Sequence, residues 1–288
     1  MDVGSLAAVF FDMDGLLVDT EPIWTIAEHE AAARLGGEFT PAMKRAMIGH
    51  GIDTAVPLMV SMLGRPASDV APTAEFLLRR SAELFREPGA IVPQPGAVEL
   101  LVALRAAGVP TALVSSSFRD LMEPVLHVIG DEFFAVTVAG DEVTRRKPDP
   151  EPYLTAARVL GVDPVRCVVL EDSPSGARAG VAAGCATIMI PSMPDLLDLA
   201  ASGASGASGA SGASGASGAL EALEASGVAA RGEPVPAGLA ALLASLHDVT
   251  PDLMESLTTP RLSPPLRPSR PGCEVGGVRH GFGGEDRA

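Results

Sequence analysis

Through the first 190 or so residues, short and mostly apolar runs alternate with stretches whose apolar positions recur every three or four residues. The first run, Leu6-Ala7-Ala8-Val9-Phe10-Phe11, stops abruptly at Asp12-Met13-Asp14-Gly15. A strand that is apolar on both faces belongs in the middle of a parallel sheet covered on both sides. Similar runs recur at Val109–Val114, Phe134–Val138, Val165–Leu170 and Ala186–Ile190. Helical spacing occupies roughly Gly96–Ala107, Phe118–Ile129, Glu151–Leu160 and Ser175–Ala183, with Gly108, Gly130, Gly161 and Gly184 as stops. Alternating strands and helices predict an α/β fold with a doubly wound parallel sheet.

Residues from about 20 to 94 interrupt that rhythm. Helical patterns run over Pro22–Leu35, from a cap at Thr40-Pro41, over Asp53–Leu63 and over Ser68–Arg86, and Pro93 and Pro95 return the chain to the sheet. This predicts an all-helical unit inserted after the first strand. The expected organisation is a core of residues 1–20 and 95–200, joined by 228–248, with a helical insertion at 21–94. Pro236–Leu246 has the spacing of one more amphipathic helix. Residues 201–219 carry six Ala-Ser-Gly repeats, expected to be a flexible linker, and 258–288, rich in Pro, Gly and Arg, a disordered tail.

Composition refines this picture. Hydrophobic residues make up 47 % of the 288, but 45 of them are alanines, so the figure overstates the core. A net charge of −15 argues against nucleic acid or an anionic membrane surface as a partner. No run approaches the roughly 20 apolar residues that span a bilayer, and no secretory signal opens the chain. Cys167, Cys185 and Cys273 are an odd number without a C-x-x-C pair, which argues against a disulfide framework or cysteine zinc site and for a reducing, cytoplasmic setting. Cys167 and Cys185, at or beside buried strands, are expected to be inert thiols. No histidine has metal-ligand spacing. Of 21 cationic residues only Lys44 and Lys147 are lysines.

Ligands of open parallel sheets bind beyond the carboxyl ends of the strands. There the sequence places Asp12 and Asp14, then Ser115-Ser116-Ser117, then Lys147 in the loop after the third strand, then Glu171 and Asp172. Four carboxylates in one cleft call for a hard cation such as Mg²⁺, with lysine and hydroxyl donors left for a phosphate. An aspartate there can attack phosphorus, and a second carboxylate can manage the protons.

The run from Phe11-Asp12-Met13-Asp14-Gly15 to Asp19-Thr20 resembles the first motif of the haloacid dehalogenase-like hydrolase superfamily. Leu113-Val114-Ser115, Lys147-Pro148 and Leu170-Glu171-Asp172-Ser173 resemble its second, third and fourth, in order. The resemblance implies a Rossmann-like core with a helical cap over it. It further implies Asp12 as nucleophile and Mg²⁺ ligand, and Asp14 as general acid/base whose main-chain carbonyl also binds Mg²⁺. Ser115 and Lys147 would hold the phosphoryl group, Asp172 would ligate Mg²⁺, and Glu171 would ligate or orient a bound water. An aspartate at position 14 argues against the dehalogenase and phosphonatase branches.

β-Phosphoglucomutase-type relatives carry a histidine where Trp24 stands and cationic groups where Ile48 and Ile52 align. Net hydrolysis of a small phosphomonoester, a sugar phosphate or related metabolite, is therefore expected. A mutase or phosphotransferase and a non-catalytic phospholigand-binding protein are the alternatives. Glu21, Trp24 and His50 are the candidate contacts from the cap, Trp24 being equally suited to packing. Ser116 and Ser117 read as a helix N-cap, and Arg145 and Arg146 first as a solvated pair, with attraction of an anionic substrate as the alternative. The expected state is a monomer or weak homo-oligomer.

Overall fold

The computed structural model describes residues 6–47, 51–192 and 238–258. Six strands form a wholly parallel sheet in the order β3-β2-β1-β4-β5-β6. They are β1 (Ala8–Phe11), β2 (Thr111–Val114), β3 (Val136–Val138), β4 (Cys167–Glu171), β5 (Ala186–Met189) and β6 (Ala241–Leu242). Strands β1, β2 and β4 are buried at every position, as their mostly apolar runs lead one to expect, with Thr111 and Glu171 buried among them. Alternate residues feed two cores: Val9, Phe11, Leu113 and Leu170 on one face, Phe10, Ala112, Val114 and Val169 on the other. Each such large side chain withdrawn from water stabilises the fold by about 1.5–3 kcal/mol.

Helices α1 (Glu21–Arg34), α2 (Pro41–Met47), α3 (Ile52–Met62) and α4 (Val70–Phe85) lie between β1 and β2. They pack on one another, α4 also meets the helix after β2, and Met43, Val56, Met59 and Leu77 join the first of the two cores. The sheet is flanked by α5 (Ala97–Ala106), α6 (Arg119–Ile129), α7 (Glu151–Leu160) and α8 (Pro174–Ala182). Among the described residues no helix is long and apolar enough to cross a membrane.

Two expectations fail. The helix predicted over Pro236–Leu246 is instead β6 and its flanks, residues 236 and 237 lying outside the described set. Gly238 has φ +86°, and the open edge of β5 takes the chain: Ala240 N donates to Thr187 O at 2.8 Å and Leu243 N to Met189 O at 2.9 Å. An unpaired strand edge outweighs helical spacing when a strand-competent segment can reach it. The core also extends past residue 248, because α9 (Pro251–Thr258) follows and buries Met254 completely. The Ala-Ser-Gly repeats, Cys273, His50, Ile48 and the tail beyond Thr258 lie outside the described residues.

Candidate active site

Strand order sets the location. β1 lies between β2 and β4, so the chain leaves it in opposite directions and a crevice opens at its carboxyl end. Register then levels the side chains. Phe11 pairs with both Leu113 and Leu170, so Asp12, Val114 and Glu171 stand in one row a residue further on. Lys147 binds that whole row. Its Nζ donates to Asp12 Oδ1 at 2.5 Å, Val114 O at 2.8 Å and Glu171 Oε1 at 2.6 Å.

Asp14 is held separately, by three hydroxyls. Thr20 Oγ1 donates to its Oδ1 at 2.8 Å, while Ser117 Oγ and Ser115 Oγ donate to its Oδ2 at 2.8 and 3.1 Å. Ser117 thus serves the site rather than capping a helix; α6 starts at Arg119 with no side-chain cap. The turn just after Asp14 needs Gly15, whose φ is +84° and where a Cβ would stand 2.3 Å from Asp172 Oδ2.

Glu171 is wholly buried and stands behind the cleft. Besides Lys147 it accepts from Tyr153 Oη at 2.6 Å and from Ser173 Oγ at 3.1 Å. Tyr153 is the chain's sole tyrosine; burial and the charge of Glu171 keep its phenol neutral and donating. Asp172 accepts from Ser192 Oγ at 2.7 Å, a residue just past β5 that reading the end of the fifth apolar run would have found.

Charge is unevenly offset here. Burial opposes the Lys147 ammonium, but Asp12 and Glu171 outweigh it and hold its pKa above the ordinary lysine value. Asp12 stands well above the usual carboxylate range, through burial first and then the charge of Glu171, with Asp172 and Asp14 adding to it. One ammonium does not neutralise this cluster. Asp12, Glu171 and Asp172 each offer an oxygen within 4.8 Å of the others, an all-oxygen donor set that fits a metal ion. Glu171 is committed to Lys147, Tyr153 and Ser173, so Asp12 and Asp172 are the members of that set lining the cleft.

A cleft of about 280 Å³ lies between the sheet edge and the inserted helices. Asp12, Asp14, Ser115, Lys147 and Asp172 line it from the sheet, and Glu21 and Trp24 from α1. Trp24 faces the cleft and also packs edge-on against Phe85, the ring centroids 6.2 Å apart. Sequence reasoning did not place Lys44 or Glu28 here, and put Arg146 first with the solvated charges. Lys44 was marked by the scarcity of lysine, the same signal that marked Lys147. The two arginines part company: Arg145 is exposed and pairs with Asp149 and Glu151. Arg146 lines the cleft, donates to Asp53 Oδ2 at 2.9 Å and lies over the Phe118 ring. Cys167 and Cys185 are buried free thiols, Cys167 pushed up to about 12 by burial, which leaves it inert.

A doubly wound parallel sheet with a carboxylate–lysine cluster at its switch point, closed over by inserted helices, defines an α/β enzyme with a cation-ready cleft. Residues 6–184 match the model of the haloacid dehalogenase-like hydrolases, and the chain belongs to that family. It is 37 % identical over 180 residues to hexitol phosphatase A of Escherichia coli (strain K12), covering 62 % of this chain and 81 % of that one. The phosphorylated carbohydrates phosphatase of Thermotoga maritima is 33 % identical over 184 residues, covering 62 % and 82 %. Among solved structures, CbbY from Rhodobacter sphaeroides in complex with phosphate superposes with a TM-score of 0.58 at 30 % identity, covering 65 % of this chain and 86 % of that one.

Proposed function

We propose that this hydrolase releases phosphate from small phosphomonoesters, sugar or polyol phosphates above all, through an aspartyl-phosphate at Asp12. The single observation that carries this reading is the convergence of Asp12, Asp14, Lys147 and Asp172 on one cleft wall. Relatives named as hexitol and carbohydrate phosphatases support the substrate class.

In this reading the Asp12 carboxylate attacks phosphorus while the ester oxygen leaves with a proton from Asp14. Asp14 then takes a proton from water, whose oxygen attacks the aspartyl-phosphate; phosphate departs and Asp12 is regenerated. Lys147 and Ser115 hold the phosphoryl oxygens. Glu171 and Tyr153 keep the Lys147 ammonium in place. Mg²⁺, held by Asp12, Asp172 and the main-chain carbonyl of Asp14, would neutralise charge on the transferring group. We place the enzyme in the cytoplasm as a monomer or weak homo-oligomer, on its charge and cysteine usage.

Asp12→Asn should abolish phosphate release from p-nitrophenyl phosphate, and EDTA should do the same to the native enzyme until Mg²⁺ is returned. Release at the native rate in that variant would overturn the proposal. Lys44 lends some support to the mutase reading, which needs a cation at the far end of the cleft. Isomerised sugar phosphate without free phosphate would decide for it. Against it, two carboxylates already engage this lysine.

A further inference from the structure

The far wall of the cleft is built from α1 and α2. Glu21, Trp24 and Glu28 are spaced by three and four residues, so they share one face of α1, and all three line the cleft. Lys44 reaches the same wall from α2, its Nζ 2.8 Å from Glu21 Oε2 and 2.8 Å from Glu28 Oε2. This is a poor place for an ordinary structural ion pair. The Lys44 side chain is 22 % exposed and that of Glu28 only 10 %, so desolvation offsets much of the attraction.

Unused hydrogen-bonding capacity points to a ligand. An ammonium has three donors, and Lys44 has two carboxylate oxygens at 2.8 Å, Glu28 Oε2 and Glu21 Oε2, so one donor remains. A spare donor flanked by two carboxylates in an open cleft suits a group that both donates and accepts. A hydroxyl is such a group. Trp24 adjoins the cluster on the same helix face and offers an apolar surface to a carbon chain.

The charge of the wall excludes other ligands. Two carboxylates against one ammonium leave it net negative, and Arg146, the other cation lining the cleft away from Lys147, is paired with Asp53. We propose that Lys44, fixed by Glu21 and Glu28, determines specificity by reading hydroxyls on the alcohol half of the substrate, and that the same cluster turns away substrates carrying a second anion. This rests on the phosphomonoesterase reading above and adds to it which half of the substrate is recognised, and by what.

The test compares kcat/KM for a hexitol 6-phosphate, p-nitrophenyl phosphate and fructose 1,6-bisphosphate. Lys44→Met should lower the hexitol-to-aryl ratio about tenfold, chiefly through KM, the size of one lost hydrogen bond to charge. Lys44→Arg should restore part of it. The double variant Glu21→Gln/Glu28→Gln frees the lysine charge and should raise the bisphosphate-to-monophosphate ratio about tenfold. Both ratios unchanged would overturn the inference; should Lys44→Met fail to fold, the double variant decides alone. Calorimetric binding of the hexitol phosphate to Asp12→Asn, with and without Lys44→Met, separates the two readings. Binding that weakens without Lys44, while the native protein releases phosphate from none of the three esters, sinks the phosphatase reading and upholds this one. Hydrolysis with unchanged ratios does the reverse.

Discussion

Asp12 and Lys147 share a hydrogen bond, yet removing one or the other should have opposite effects on stability. Asp12 is crowded by the charge of Glu171, Asp172 and Asp14, so neutralising it relieves repulsion. Asp12→Asn is expected to unfold at the native temperature or above in metal-free buffer, while being inactive, as active-site charge often is held at the expense of stability. Lys147→Met leaves Asp12 and Glu171 facing each other without their cation; with its side chain only 4 % exposed, the loss should be about 3–5 kcal/mol, read by denaturant titration. Glu28 gives a pH test. Burial, only partly countered by Lys44, raises its pKa above the ordinary value of 4.5. A raised carboxylate contributes stability below that value and loses it as pH climbs through the folded value. The unfolding temperature of Glu28→Gln relative to native should therefore rise from pH 4 to pH 7, and a falling difference would contradict the assignment.

Elements were legible where pattern and environment agree. The five apolar runs became β1 to β5, since a strand covered on both faces is built mainly from apolar residues, with few polar ones such as Thr111 and Thr187 among them. Thr40 accepts from Met43 N at 3.2 Å, the cap its position before Pro41 suggested. The failures share a cause as well. β6 is two residues long and is made by the edge it completes, which no local pattern records. Ser117 sits just before α6, in N-cap territory, but its hydroxyl goes to Asp14, 103 residues earlier in the chain. Helix α8 shows how closely an element can be fitted to chemistry: at Gly176 a Cβ would stand 1.7 Å from Glu171 Oε1, and Gly180 approaches Thr187 and Val169. Gly176→Ala must push α8 or Glu171 aside, and should cost at least tenfold in kcat for p-nitrophenyl phosphate, whereas Gly161→Ala, with nothing within 4 Å, should leave kcat alone and lower only the unfolding temperature.

At the scale of the molecule, distant segments complete one core. Leu239, Ala241, Leu242, Leu246, Val249 and Met254 are buried, so a chain ending at residue 200 should lose solubility or unfold many degrees lower. Excising Ala201–Gly218 while keeping 238–258 should preserve phosphate release, since 27 other residues still join Ser192 to Gly238. The sequence alone determined the sheet, the helical insertion and the chemistry at the strand ends, because burial pattern and strand-end position are local properties that a chain carries in its order. Asp12, Asp14, Ser115, Lys147, Glu171 and Asp172 could be named for that reason. Only the tertiary structure decided which of them meet. Parallel register put Asp12, Val114 and Glu171 in one row under Lys147, and strand order set that row at the switch point. Folding of the inserted helices brought Lys44 to Glu21 and Glu28 across a helix-to-helix contact, and the Arg146–Asp53 pair ties those helices to the loop that carries Lys147. Such pairings depend on distances between segments far apart in the chain, and those distances exist only once both cores have closed.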